Sequence, residues 1–188
     1  MSELERVAAR SYKSYRARLV ASNRLQARQR AWNTCLLALS VATTVASIAL
    51  LSDGTMYGNA GPTVLVCVSV GALISSLVAA GLNYGGRSRD MFMNYRALQR
   101  LSVEAESMLD REFVHDEEVS KLTERHNALL DDSENHTSAD HKSADPEAPI
   151  SIWVLRRAQW LTNLPYLALS VPVLVVWPFA HWALRGGK

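Results

Sequence analysis

The sequence predicts an all-α membrane protein: a transmembrane helical hairpin, cytoplasmic amphipathic helices, and a third, proline-kinked membrane helix. Three observations carry this prediction. Apolar and charged residues are segregated along the 188-residue chain, with no charge from Trp32 to Leu51 or from Gly54 to Gly86. Within them, Trp32 to Leu51 and Thr63 to Tyr84 are each about the length that crosses a hydrocarbon core of roughly 30 Å at 1.5 Å per helical residue. Basic residues crowd the outer ends of the pair and are missing from the short connection between them.

The first element, residues 1–31, is a basic helix. Ser2 to Arg30 contains neither Gly nor Pro. Leu4, Val7, Ala8, Ser11, Tyr15 and Leu19 make a modest helical stripe. Nothing breaks the pattern before the first apolar run, so one helix from about Glu3 to Leu51 is expected. Its basic residues allow a solvated, topology-fixing role, or contact with anionic membrane lipid worth about 1 kcal/mol per charge near the surface. Direct nucleic-acid binding is not expected, because no aromatic or groove motif accompanies the charge. About thirty polar residues precede the apolar run, which is not the plan of a signal peptide.

The hairpin follows at 32–84, with spans at 32–51 and 63–84. Between them "SDGTMYGNAG" is rich in turn residues, and Pro62 suits the first turn of the second helix. Arg6, Arg10, Lys13, Arg16, Arg18, Arg24, Arg28 and Arg30 precede the first span, and Arg87, Arg89, Arg96 and Arg100 follow the second. The loop has no Lys or Arg. The positive-inside rule therefore predicts cytoplasmic ends and an outer loop.

Within the spans two patterns stand out. Ser40, Thr43, Thr44 and Ser47 are spaced i, i+3, i+4, i+7, which puts four hydroxyls on one helical face. Such a stripe serves either as packing glue or as a polar wall for water and ions. In the second span Gly71, Ser75 and Ala79 recur every four residues, with Ala72, Ser76 and Ala80 alongside. Small residues at that spacing suit close helix contact and predict a homo-oligomer. One chain with two or three spans cannot enclose a pore, so pore lining requires that oligomer.

The region 85–131 is expected to form cytoplasmic helices, hinged from the hairpin at Gly85 and Gly86. A helix from about Ser88 to Phe113 carries Met91, Tyr95, Leu98, Ala105, Met108 and Leu109 on its apolar face, with Arg100 placed to pair with Glu104. A second, Asp116 to Leu130, carries Val119, Leu122, His126 and Leu129. Val103 to Ala148 holds fourteen of the eighteen acids, so these helices are expected to pack against the basic one, acid against base. Residues 132–149 read as a polar linker. The third membrane segment, 150–188, has its apolar stretch at about 164–184, with Pro165, Pro172 and Pro178, and reads as a kinked span, with a re-entrant or interfacial segment as the alternative. Trp160, Tyr166, Trp177 and Trp182 suit the interfaces.

Enzyme chemistry is not expected. The chain contains no phosphate-binding loop, dinucleotide fingerprint, zinc-protease pair or nucleophile elbow. His126, His136 and His141 match no metal signature and read as surface residues, so neither metal nor cofactor is predicted. Cys35 and Cys67 lie in separate spans and read as small membrane residues.

The order of basic helix, two spans, short outer loop, then "SRDMFMNYRALQRLSVEAE" and "LTERHNALLDDSENHTSADH" resembles the SLATT family. These are two-transmembrane effectors associated with SMODS nucleotidyltransferases and SLOG sensors in bacterial conflict systems. The resemblance covers about residues 1 to 145. It rests on Tyr95, Leu98 and Glu104, and on Ser133, Glu134, Asn135 and His136. It implies a pore-forming or membrane-disrupting antiphage effector of the bacterial inner membrane, silent until a nucleotide signal or partner triggers it. A nearby nucleotidyltransferase, sensor or reverse transcriptase is the implied partner. The alternative is a non-conducting scaffold or sensor that recruits a cytoplasmic partner.

Overall fold

A computed structural model describes residues 2–131, 134, 137–144 and 151–185. Seven helices account for them: α1 Glu3–Ser52, α2 Gly61–Leu82, α3 Tyr84–Leu109, α4 Asp116–Asp131, α5 Ser138–Ala144, α6 Ile152–Leu167 and α7 Ser170–Leu184. No strand occurs among the described residues. Three stretches are long and apolar enough to cross a membrane: Glu3–Ser52, Gly61–Leu109 and Ile152–Leu184. The chain forms two compact units. The polar unit comprises Met1–Gln26 and Gly85–Gln159, and the apolar unit Ala27–Tyr84 and Trp160–Lys188.

The polar unit is built on a seven-residue rhythm. Leu4, Ser11, Arg18 and Leu25 on α1 are buried, as are Met91, Leu98 and Ala105 on α3, and Asn94, Leu101 and Met108 beside them. A 3.5-residue repeat keeps one seam of each helix facing its partner. The pairings Ser22 with Ser88, Arg18 with Met91, and Tyr15 with Tyr95 run in opposite senses along the chain, so α1 and α3 are antiparallel. α4 closes the group: Leu122 packs with Leu4, Val7, Ala8, Leu101, Ala105 and Met108. Each large aliphatic side chain taken out of water there contributes about 1.5–3 kcal/mol. Asp116, Glu117 and Glu118 occupy the first turn of α4, where negative charge is favoured.

The apolar unit packs through small residues. Ala31, Cys35, Ala42, Ala46 and Ala49 form the buried face of α1. Ala42 and Ala46 meet Leu65 of α2 and Val175 of α7. The inward face of α2 is Gly61, Leu65, Val68, Ala72, Ser75 and Ala79, spaced alternately four and three residues apart, while Val66, Val70, Leu73, Ile74 and Leu77 are exposed. Lipid offers no hydrophobic drive for helix association, so close approach over alanine and glycine supplies the contact. A Cβ at Gly61 would stand 2.5 Å from Cβ of Tyr57, which explains the glycine at this join. The Tyr57 hydroxyl donates to the Val175 carbonyl at 2.9 Å, and Arg28 Nε donates to Thr162 Oγ1 at 3.3 Å. The third membrane segment is thus tied to the loop end and to the basic end of the hairpin.

Several expectations need correction. The interruption after the second span falls at Asn83, in the left-handed region at φ 41°, rather than at Gly85 and Gly86. Asn tolerates that conformation, so both glycines are free to join α3, which begins at Tyr84. Glu104 pairs with Arg125 across to α4 at 2.9 Å, not with Arg100. Leu109 is exposed at the C-terminal end of α3. The polar stretch 132–149 contains a helix, α5. The third segment begins at Ile152 and breaks at residues 168 and 169. Pro172 accounts for the position of the break: it has no N–H for the Ala168 carbonyl four residues back, and its ring crowds that carbonyl. Ser170 Oγ donates to the Leu167 carbonyl at 2.9 Å and satisfies part of the disrupted turn.

Candidate functional site

All four hydroxyls of the α1 stripe fall away from the alanine face. Ser40, Thr44 and Ser47 are exposed and Thr43 is half-buried. Three of the four protons, those of Thr43, Thr44 and Ser47, are committed locally. Thr43 Oγ1 lies 3.0 Å from the carbonyls of both Leu39 and Ser40, Thr44 Oγ1 donates to Ser40 at 2.9 Å, and Ser47 Oγ donates to Thr43 at 2.7 Å. This back-bonding makes the hydroxyls tolerable in an apolar setting. Each oxygen keeps acceptor capacity on the exposed face. Within the chain no hydroxyl of the stripe bridges to another helix among the described residues.

The small-residue pattern on α2 divides differently. Ser75 and Ala79 belong to the half-buried inward face, so the chain's own packing uses them. Gly71 is exposed, and nothing lies within 4 Å of a Cβ placed there.

A second feature lies in the polar unit, where three arginines hold the segment that follows α4. Arg24 grips Asp140 through Nε at 2.8 Å and Nη2 at 2.9 Å, and Asp140 is 1 % exposed. Arg87 grips the Glu134 carboxylate with Nε at 2.8 Å and also through Nη2. That contact holds the Glu134 carboxyl below the usual glutamate range, by the hydrogen bond from Arg87. Arg18, fully buried, donates through Nη1 to the Glu134 carbonyl at 2.8 Å and through Nη2 to the Leu130 carbonyl at 3.5 Å. Asn94 Nδ2 donates to the neighbouring Leu129 carbonyl at 2.6 Å. Together these satisfy carbonyls at the C-terminus of α4, where a cation is favoured. Thr137 and Asp140 form a reciprocal cap on α5: Thr137 N–H and Oγ1 donate to Asp140 Oδ2 at 2.9 and 2.7 Å, and Asp140 N–H reaches back to Thr137 Oγ1 at 3.4 Å.

This unit also buries polar atoms that find no hydrogen-bond partner among the described residues: Ser11 Oγ, Arg18 Nε, Asn94 Oδ1 and His126 Nε2. His126 was expected on the surface and is buried instead. Burial pushes its imidazole below the usual histidine range, with Arg10 acting in the same direction. Of the family-pattern residues, Tyr95 packs its ring near Tyr15 and Phe92, Leu98 is buried in the core, Glu104 pairs with Arg125, and Glu134 is held by Arg87. Ser133, Asn135 and His136 lie outside the described residues.

Sequence reasoning missed Arg18, Arg24 and Asp140. Two signals were present. Arg18 sits seven residues from both Ser11 and Leu25, in the buried register, and "TSAD" has the spacing of a capping box.

Membrane-length helices, a small-residue core and an arginine-held helical unit define an all-α membrane protein. The chain belongs to the SMODS and SLOG-associating 2TM effector domain family 5, which it matches over residues 1–184. The match includes the third apolar segment and so extends well past residue 145, where the resemblance read from the sequence stops. No curated protein and no solved structure matches.

Proposed function

We propose that this membrane effector domain acts as a homo-oligomer that conducts ions or small solutes across the bacterial inner membrane. A nucleotide signal or a partner such as a nucleotidyltransferase, sensor or reverse transcriptase triggers it. The observation that carries this reading is the hydroxyl face of α1, which faces away from the alanine seam and whose Thr43, Thr44 and Ser47 hydroxyls donate to carbonyls of their own helix. An assembly that gathers this face around an axis obtains a polar wall with no intramembrane charge, whose cost would be several kcal/mol. The exposed Gly71 edge of α2 supports close contact between copies. The purified protein is expected to give single-channel currents in a planar bilayer under triggering conditions. A triggered assembly that leaves the bilayer silent and recruits a soluble partner supports the scaffold reading instead.

The orientation belongs to the same proposal, with the polar unit in the cytoplasm and residues 53–60 outside. In a Cys35→Ala, Cys67→Ala background, a cysteine at Asn59 is expected to react with a membrane-impermeant thiol reagent in intact spheroplasts. A cysteine at Asn23 is expected to react only after lysis. Labelling in the opposite order contradicts the orientation.

A further inference from the structure

Three guanidiniums of the polar unit are rooted around one contact between α1 and α3. Ser22 Oγ donates to the Ser88 carbonyl and Ser88 Oγ to the Ser22 carbonyl, each at 2.9 Å, so the helices touch there through small side chains. Arg18 lies four residues before Ser22, Arg24 two after it, and Arg87 next to Ser88. All three therefore start within about 6 Å of that contact along the helix axes, at 1.5 Å per residue. They also share Glu134. Its carboxylate bonds Arg87 and its carbonyl bonds Arg18. The Arg87 hydrogen bond, then the charges of Arg87 and Arg24, hold this carboxyl below the usual glutamate range.

The charges are not balanced. Arg24 and Arg87 each hold one carboxylate, that of Asp140 and that of Glu134. Arg18 is 0 % exposed, yet its Nη atoms reach only carbonyls and the Met91 sulfur. Its Nε meets no hydrogen-bond partner, and no carboxylate pairs with it, among the described residues. The α4 terminus that Arg18 caps supplies about half a negative charge, so three positive charges face about two and a half negative ones. A guanidinium keeps its proton, and a charge held out of water without a counterion is costly. Anions have a way in, because Arg87 and the Glu134 carboxylate are both exposed. A fork that holds a carboxylate side-on fits two phosphate oxygens as well. Two forks hold two carboxylates here, so a ligand replacing both carries two phosphoryl groups. Each brings more charge than the carboxylate it displaces, which gives Arg18 the counterion it lacks.

We propose that Arg18, Arg24 and Arg87 form a binding site for a soluble ligand with a diphosphate group, and that Glu134 and Asp140 occupy it in the ligand-free chain. Binding displaces both carboxylates and undocks α5. The proposal goes beyond conduction and is independent of it, because binding and amide exchange are read without a current. The test is titration of the full-length protein in phosphatidylcholine nanodiscs with inorganic pyrophosphate, followed by calorimetry and hydrogen exchange. Pyrophosphate is expected to bind at least about ten-fold more tightly than orthophosphate, because it engages both forks. Exchange at the backbone amides of 139–144 is expected to accelerate on binding. Arg18→Met exchanges a buried charge for an apolar chain, and is expected to keep α5 docked while weakening pyrophosphate at least about ten-fold. Glu134→Gln alters an exposed side chain that the fold does not need, and is expected to tighten pyrophosphate at least about three-fold, because the chain competes less for its own site. No saturable binding by wild type overturns the proposal, as does equal affinity for pyrophosphate and orthophosphate. An Arg18→Met variant that binds like wild type overturns it, and so does unchanged affinity in Glu134→Gln, a result that stands even where Arg18→Met does not fold. Binding without faster exchange at 139–144 places the ligand elsewhere and also contradicts it. Faster exchange in phosphatidylglycerol discs without pyrophosphate assigns the arginines to lipid headgroups and overturns the soluble ligand.

Discussion

Arg24→Ala is expected to release α5 from the polar unit. The bidentate contact takes Asp140 to 1 % exposure, and Arg24 itself is only 18 % exposed. Removing one partner of a buried pair strands the other charge, at a cost of about 3–5 kcal/mol. Thr137 keeps its two charge-assisted hydrogen bonds to the Asp140 carboxylate, but these are present with or without Arg24 and do not replace its positive charge. A helix of seven residues has little else to hold it, so undocking is the cheaper response and the antiparallel pair α1 and α3 remains folded. Hydrogen exchange is expected to accelerate more than a hundred-fold at the backbone amides of 139–144, and to stay unchanged at Leu98 and Leu101. The double variant Arg24→Ala, Asp140→Ala is expected to be less perturbed than the sum of the single variants, because no charge is then left buried. Unchanged exchange across α5 in Arg24→Ala contradicts the arginine-held strap.

Thr43→Val combined with Thr44→Val is expected to abolish most conduction while leaving assembly intact. Valine has nearly the shape of threonine, and the protons it removes are donated only to carbonyls of the same helix. The helix keeps its own backbone ladder, so the loss of stability is expected to stay below about 1 kcal/mol. The effect on a wetted wall is larger, because replacing adjacent hydroxyls with methyls in every subunit creates an apolar ring that closes a narrow pore by dewetting. The expected result is at least about a ten-fold drop in ion flux at equal oligomer mass. An oligomer that falls apart while monomer helicity persists shows that the hydroxyls bridge copies. Unchanged flux at equal mass shows that the face meets lipid.

The helical architecture was largely legible because membrane length and seven-residue spacing are one-dimensional signals. α1 runs unbroken from Glu3 to Ser52, as the absence of Gly and Pro before Arg30 indicates. The α4 boundaries follow from its acidic first turn. Where the reading failed, a local cue was outweighed by one a few residues away. Gly85 and Gly86 drew attention as helix breakers, yet Asn83 takes the left-handed conformation. Three prolines predicted a kink without ranking which of them produces it. The strap was illegible for a different reason. Arg24 and Asp140 are 116 residues apart, and no spacing rule links them until α4 turns the chain back. The hydroxyl stripe was legible as a face, but only the structure shows that it lies opposite the alanine seam.

The most direct test of conduction through the α1 stripe is the current through cysteine variants in a planar bilayer, with a charged thiol reagent added. The background is Cys35→Ala, Cys67→Ala, and the sites are Ser40, Thr44 and Ser47, with Ala46 on the buried seam as the comparison. Lining predicts that the reagent blocks the current at Ser40→Cys, Thr44→Cys and Ser47→Cys and leaves Ala46→Cys untouched. Block at Ala46→Cys with no effect at the three hydroxyl positions contradicts that account.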